Sequence, residues 1–220
     1  MAHRVERRMN MIKKHLKILI ITSIVILLPI LAGLILWNQL PEQIPSHWNA
    51  AGEIDGWSSK PFAVFGLPCI LLAAQWLCML GTLADPKREN HPEKILHLVL
   101  WIIPVISVLL FTLTYAAALG KEVRMELIMP VFIGLVFAII GNYMPKCKQN
   151  YTIGIKIPWT LDSEENWNKT HRFAGRLWVI CGLIIMLTGF FGGFWIFAGI
   201  ALLMLLAPII YSYILHRNGI

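Results

Sequence analysis

Two groups of side chains in this 220-residue chain are of the types that do chemistry. His47 and Asp55, with Glu53 between them, combine imidazole and carboxylate, a usable first shell for zinc that the distant His97 could extend. His171 and Arg172 follow Asp162, Glu164 and Glu165 closely enough for a general acid–base cluster. Neither group has the spacing of a known ligand set, and the chain contains no nucleophile elbow, P-loop, HExxH or dinucleotide fingerprint. The plainer readings are stronger. Asp55 beside Gly56 suits a turn, His47 suits a local hydrogen bond, and His171 with Arg172 suits the charged boundary of a helix. The expectation is therefore no catalytic residue, no metal and no cofactor: not an enzyme.

The elements that carry these groups are apolar to a degree that excludes an ordinary soluble domain. Hydrophobic residues make up 57% of the chain and charged residues 14%, against roughly 25% charged in a globular domain. A bilayer requires about 20 apolar residues per helix. Uncharged or nearly uncharged runs at 18–37, 62–83, 95–119 and 127–144 meet or approach that length. From Leu177 to Leu215 no charge appears, a stretch about twice too long for one crossing. The glycines of Gly189-Phe190-Phe191-Gly192-Gly193 mark the break, giving spans at 174–191 and 194–215. The predicted fold is an all-α integral membrane protein of six transmembrane helices.

Orientation follows from Lys and Arg, which are retained on the cytoplasmic side. With both termini inside, the inner segments hold 16 of these residues and the outer ones only Lys60, Lys121 and Arg124. The formal charge of +7 is thus explained by topology, with no nucleic-acid partner needed. Residues 1–17 form a basic cytoplasmic start, and the long run after them, followed by Asn38-Gln39-Leu40-Pro41, reads as an uncleaved first span. Cysteines at 69, 78, 147 and 181 form no CxxC pair and predict neither disulfides nor a zinc site.

Two connections are long. The outer one, 38–61, is rich in Pro, Gly and Trp and predicts a compact cap displaying His47, Trp48, Asn49, Gly52, Asp55, Trp57 and Lys60. The inner one, 145–173, begins with an extended segment at Tyr151–Ile157. After it, Thr160 or Asp162 is placed as the cap of a helix through Glu164, Glu165 and Trp167. Trp159 and Trp167 would share a face of an amphipathic helix lying in the inner interface. Asn150, Gly154, Lys156, Pro158, Trp159, Thr160, Trp167, Thr170, His171 and Arg172 are the candidates for contact with a partner there.

The segment LPEQIPSHWNAAGEIDGWSSKP resembles a widespread bacterial membrane domain of unknown function with the pattern LPxxIPxHWNxxGxxDxWxxK, which would occupy 18–83. The segment NYTIGIKIPWTLDSEENWNKTHRFAGRLW resembles the signature of the SdpI family, within a region at 127–215. That resemblance implies a multi-pass protein of the bacterial plasma membrane that protects the cell against a secreted peptide toxin and, in some members, holds a transcriptional repressor at the membrane. Lipids, a toxin outside and a repressor inside are the implied partners.

Two other readings compete. Trp37-Asn38-Gln39-Leu40-Pro41 after the first span resembles Gly141-Asn142-Tyr143-Met144-Pro145 after the fourth, so the halves could be inverted three-helix repeats of a small transporter or lipid-interacting protein. Such a protein needs polar groups near the bilayer midplane, and the spans offer few beyond Gln75, Thr112 and Thr114. A membrane enzyme built on His47 and Asp55 is the weaker competitor.

Overall fold

The computed structural model describes residues 2–191 and 194–220, with side chains from His15 onward except that of residue 194. Its elements run α1 (Ala2–Ile35), β1 (Gln43–Trp48), β2 (Ile54–Ser59), a π-helical turn at Phe62–Gly66, α2 (Leu67–Ala84), α3 (Glu93–Ala118), α4 (Met125–Tyr143), α5 (Pro158–Asp162), α6 (Glu164–Phe191) and α7 (Phe194–Arg217). Among the described residues six helices are long and apolar enough to cross a membrane, so the fold class read from the sequence is borne out. The chain adds one antiparallel hairpin, β1 with β2, to this helical frame. Of the five residues expected to break the last apolar stretch, Gly192 and Gly193 lie outside the described residues. The side chains of Arg4, Arg7, Arg8, Lys13 and Lys14 in the basic start lie outside them too.

The chain divides into two compact units: Met1–Asn49, Glu53–Ala84 and Leu96–Val123 form the first, and Ala50–Gly52, Asp85–Ile95 and Arg124–Ile220 the second. In the first unit, Leu40 and Ile44 at the hairpin base pack with Ala63, Val64, Phe111 and Tyr115, while Leu19, Met79, Leu83, Leu96 and Leu100 form a second cluster. In the second unit, α4 and α6 make the most extensive helix pairing, and Cys181, Ile185 and Met204 are buried between α6 and α7.

Prolines inside spans set a particular problem, because each removes the N–H that would satisfy the carbonyl four residues earlier, and hydrocarbon offers no substitute. Pro104 of α3 frees the carbonyl of Leu100, and the Gln75 side-chain amide donates to that carbonyl at 3.0 Å and to Thr22 Oγ1 at 2.8 Å. Pro208 of α7 frees the carbonyl of Met204, and the Trp178 indole N–H donates to it at 3.1 Å. Thr112, on α3, donates its hydroxyl to the carbonyl of Val108 at 2.7 Å. Gln75 and Thr112 are therefore engaged with backbone. Gln75, 1% exposed, mends a proline break instead of lining a pathway for a polar solute.

Residues 158–191 depart from the expected pattern. Trp159 and Trp167 do not share an amphipathic helix: α5 ends at Asp162, Ser163 is extended, and α6 starts afresh at Glu164 and runs unbroken to Phe191. The physical reason is local. Pro158 opens α5, and the Ser163 hydroxyl accepts the Asn166 N–H at 3.2 Å, so Ser163 caps α6 where Thr160 or Asp162 was expected. Glu164 and Glu165 do occupy the first turn, as the dipole favours.

Candidate functional site

The hairpin is built from turn chemistry. Gly52 takes φ of 81°, a conformation that favours glycine, and the strands pair Gln43 with Ser59, Ile44 with Ser58, Pro45 with Trp57, His47 with Gly56 and Trp48 with Ile54. The register shifts between Pro45 and His47 and again between His47 and Trp48, and the His47 side chain lies exposed there. Gly56 faces His47 because a Cβ there would come within 2.9 Å of the His47 Cβ. His47 Nδ1 lies 2.5 Å from Asp55 Oδ1, with side chains 70% and 44% exposed, and Trp57 is 56% exposed.

The other hairpin candidates are more enclosed. Asn49 donates to Glu53 Oε2 at 3.0 Å and accepts the Glu53 N–H, closing the turn, and Trp48 is half-buried. Lys60 is buried: its ammonium bonds Glu42 at 2.8 Å, reaches the carbonyl of Trp37 and lies 5.2 Å from the Trp37 ring centroid. Lys60 thus ties the hairpin base to the end of α1, and of the candidates on the hairpin His47, Asp55 and Trp57 are the exposed ones. Among the described residues no group of three or more His, Cys, Asp or Glu could hold a metal, and His97 instead stacks edge-on against His15 at 5.7 Å.

The connection between α4 and α6 is a hydrogen-bonded knot. Asn150 accepts the N–H groups of Thr152 and Ile153 and donates to the carbonyls of Lys148 and Ile153. Thr160 accepts the Ile157 N–H and donates to the carbonyls of Ile155 and Ile157. Trp167 donates its indole N–H to the carbonyl of Cys147 at 2.7 Å and stacks on His171 with centroids 4.0 Å apart. His171 Nε2 accepts the Ile155 N–H at 3.0 Å, so the proton sits on Nδ1 and is donated to the carbonyl of Trp167 at 2.8 Å. Gly154, at φ of 118°, passes so close that a Cβ would stand 2.5 Å from His171 Nε2.

This arrangement separates the signature residues into two sets. Asn150, Thr160, Trp167, Thr170 and His171 are buried and hold backbone, one another or the Asn166 side chain, whereas Gly154, Lys156, Pro158 and Arg172 are exposed and Trp159 is half-buried against Tyr213 and His216. The structure does not bring His171 together with Asp162, Glu164 or Glu165. Its ring atoms are bound to backbone, and Glu165 pairs with Lys169 at 2.8 Å. An acid–base cluster is not assembled there. Burial raises the Cys147 thiol to about 11, more than its contact with Asn150 lowers it.

Several organising residues carry no sequence signal of their own. Asn166 donates to the carbonyl of Ser212 at 3.0 Å and accepts from Ser212 Oγ and Thr170 Oγ1, joining α6 to α7. Asp85, directly after α2, is fully enclosed. Its carboxylate accepts the Tyr151 N–H at 2.9 Å, the Thr152 hydroxyl at 2.8 Å and the Lys87 N–H at 2.7 Å. Burial pushes the Asp85 carboxyl upward, but those hydrogen bonds and the nearby His91 outweigh it and leave it below the ordinary value. His91, 3.2 Å away and likewise enclosed, is held below its ordinary value by burial, against the opposing pull of Asp85. An aspartate just past an apolar run reads as a helix boundary, and nothing local announces partners 66 and 67 residues onward.

Six apolar helices, a displayed hairpin and a knotted connection define a multi-pass membrane protein. The family model described as SdpI/YfhL protein family matches residues 146–212, and the one described as Domain of unknown function (DUF1648) matches residues 24–72. The chain is 32% identical over 205 residues to the immunity protein SdpI of Bacillus subtilis (strain 168), covering 91% of this chain and 97% of that one. No solved structure matches it. The chain belongs to the SdpI family, and with its six apolar helices it is a multi-pass protein of the bacterial plasma membrane.

Proposed function

We propose that this protein confers immunity on the cell that carries it by intercepting a membrane-active peptide toxin, with the hairpin as the toxin-facing element. The observation that carries this reading is the similarity to an immunity protein along almost the whole of both chains. The hairpin suits the role because its displayed His47, Asp55 and Trp57 combine an aromatic anchor with ionisable groups, the composition of a binding hot spot. Expression in a toxin-sensitive strain tests it: protection is expected, and failure against every toxin of this class removes the reading. Trp57→Ala, at a half-exposed position, will leave protein levels unchanged while weakening toxin binding by about 2 kcal/mol, the loss typical of an aromatic anchor. Unaltered protection at matched expression counts against the hairpin.

The charge asymmetry of the connections supports placing the hairpin outside and the connections at 85–94 and 145–163 inside. The accessible Lys156, Pro158, Trp159 and Arg172 are then the surface offered to a cytoplasmic partner, of which a transcriptional repressor is the kind the family suggests. A Tyr151→Cys variant, at a side chain 47% exposed, will react with a membrane-impermeant maleimide only after the cell is opened. Reaction in intact cells reverses the orientation.

A further inference from the structure

The residues at 149–152 are held on one side by polar contacts from the short connection at 85–91, while the Gln149 amide also donates to the carbonyls of Thr160 and Leu161, both at 2.8 Å. Asp85 takes the Tyr151 N–H and the Thr152 hydroxyl, the Lys87 ammonium reaches Gln149 Oε1, and Asn90 donates to the carbonyl of Gln149 at 2.7 Å. His91 Nε2 stands 3.1 Å from Thr152 Oγ1. Since that hydroxyl gives its proton to Asp85, the imidazole must donate from Nε2, which leaves Nδ1 as a bare acceptor. Among the described residues Nδ1 has no hydrogen-bond partner, on a side chain only 2% exposed. A buried acceptor left without a partner costs free energy, and opening the arrangement to solvent would remove that cost. Polar attachments can likewise be exchanged for water at little loss, which an apolar seam cannot.

What lies beneath the segment is the second observation. Cys147 is 4% exposed, with its thiol directed at the carbonyl of Ile153, and its own carbonyl holds the Trp167 indole. Lifting 149–153 uncovers this thiol without breaking the Trp167–His171 stack, which belongs to α6 itself.

We propose that Asp85 and His91 form a releasable latch that positions the 149–153 segment, so that the shape of the signature connection is set from the connection between α2 and α3. Closed, the latch keeps Cys147 covered; open, it remodels the surface around Lys156. The functional meaning rests on the reading above that this surface meets a cytoplasmic partner, but the latch itself does not.

The test uses the full chain in opened native membranes, with Cys69, Cys78 and Cys181 replaced by serine so that Cys147 alone can react with a water-soluble maleimide. Asp85→Asn keeps the volume but removes the charge that strengthens three accepted bonds, and it is expected to speed labelling of Cys147 about tenfold or more at fixed pH. The melting temperature of the detergent-solubilised protein will stay within a few degrees of the parent. Labelling as slow as in the parent overturns the latch, and so does faster labelling accompanied by collapse of the melting transition. If D85N fails to reach the membrane, Thr152→Val carries the same two readings, with severalfold faster labelling expected and an unchanged rate overturning the proposal. Toxin protection, measured in parallel, reports on the proposed function independently of the labelling.

Discussion

A Gly182→Leu variant will not accumulate in the membrane, and Gly134→Leu will fail in the same way. These glycines face each other where α4 and α6 touch: a Cβ on Gly182 would stand 2.6 Å from the carbonyl oxygen of Gly134, and one on Gly134 would stand 2.4 Å from that of Gly182. The pattern repeats a heptad away, where Gly141 and Gly175 would meet each other's carbonyls at 2.8 and 2.7 Å. Lipid tails are as apolar as leucine, so no hydrophobic gain drives two helices together in a bilayer, and close backbone approach at small residues supplies the packing instead. The neighbour at Gly182 is backbone, which cannot swing aside, so the helices must separate. The loss exceeds the roughly 1–3 kcal/mol of ordinary overpacking. Gly199→Ala is the control. Nothing lies within 4 Å of that Cβ, and alanine is the better helix former, so membrane accumulation measured by quantitative blot will match or exceed the parent. If Gly182→Leu accumulated like the parent, close approach of α4 and α6 would not be what holds the second unit together.

What could be read from the sequence divides along a physical line. The spans were legible because a bilayer imposes a length and a composition on each segment independently, and Ile18 to Trp37 or Phe62 to Leu83 satisfies both without reference to any other part of the chain. The compact cap was legible in outline, since Gly52 does mark a turn, but Asp55 and Gly56 lie inside β2 instead of at a turn, and the register shifts around His47 were not legible. Pairings across the fold were not legible. Gln75 looked like a polar residue in search of a solute until Pro104 and the freed carbonyl of Leu100 gave it a partner. Nothing near Asp85 in the sequence marks it, because its partners lie 66 and 67 residues onward. Trp159 and Trp167 share a helical face only if one helix contains both, and the pattern of bulky residues carried no mark of the break at Ser163.

The two tryptophan-rich connections also fold differently from one another. The one after α1 forms a hairpin, and the one after α4 forms a knot around Asn150 and a single short helix. Their likeness in the sequence is confined to helix ends, where Asn and Pro serve the same local purpose whatever follows. The first unit holds α1, α2 and most of α3, and the second holds α4 to α7 together with the connection at 85–95. The connections nevertheless have distinct jobs in the function proposed: one displays side chains to the exterior, and the other buries most of its signature to hold a few exposed ones in place.

Trp167→Ala will cost about 3–5 kcal/mol, the range for deleting a large buried aromatic side chain. The estimate is anchored by three roles that end together. The indole is 0% exposed, its N–H is the partner of the Cys147 carbonyl, and its face supports His171, which in turn accepts the Ile155 N–H. Alanine therefore opens a cavity, orphans a buried carbonyl and frees the ring that holds the loop at Gly154, where a Cβ would stand 3.1 Å from the indole. Trp167→Phe separates these contributions. It restores most of the volume and the stacking surface but not the donor, so its loss is expected to fall to the 1–3 kcal/mol of one unsatisfied buried carbonyl, or about 2 kcal/mol. Chemical denaturation of the detergent-solubilised variants, followed by the accessibility of Cys147, measures both. If the phenylalanine variant were as damaged as the alanine one, the hydrogen bond to Cys147 would outweigh the packing. If both were near the parent, the knot would not depend on its largest residue, and the buried half of the signature would need another explanation.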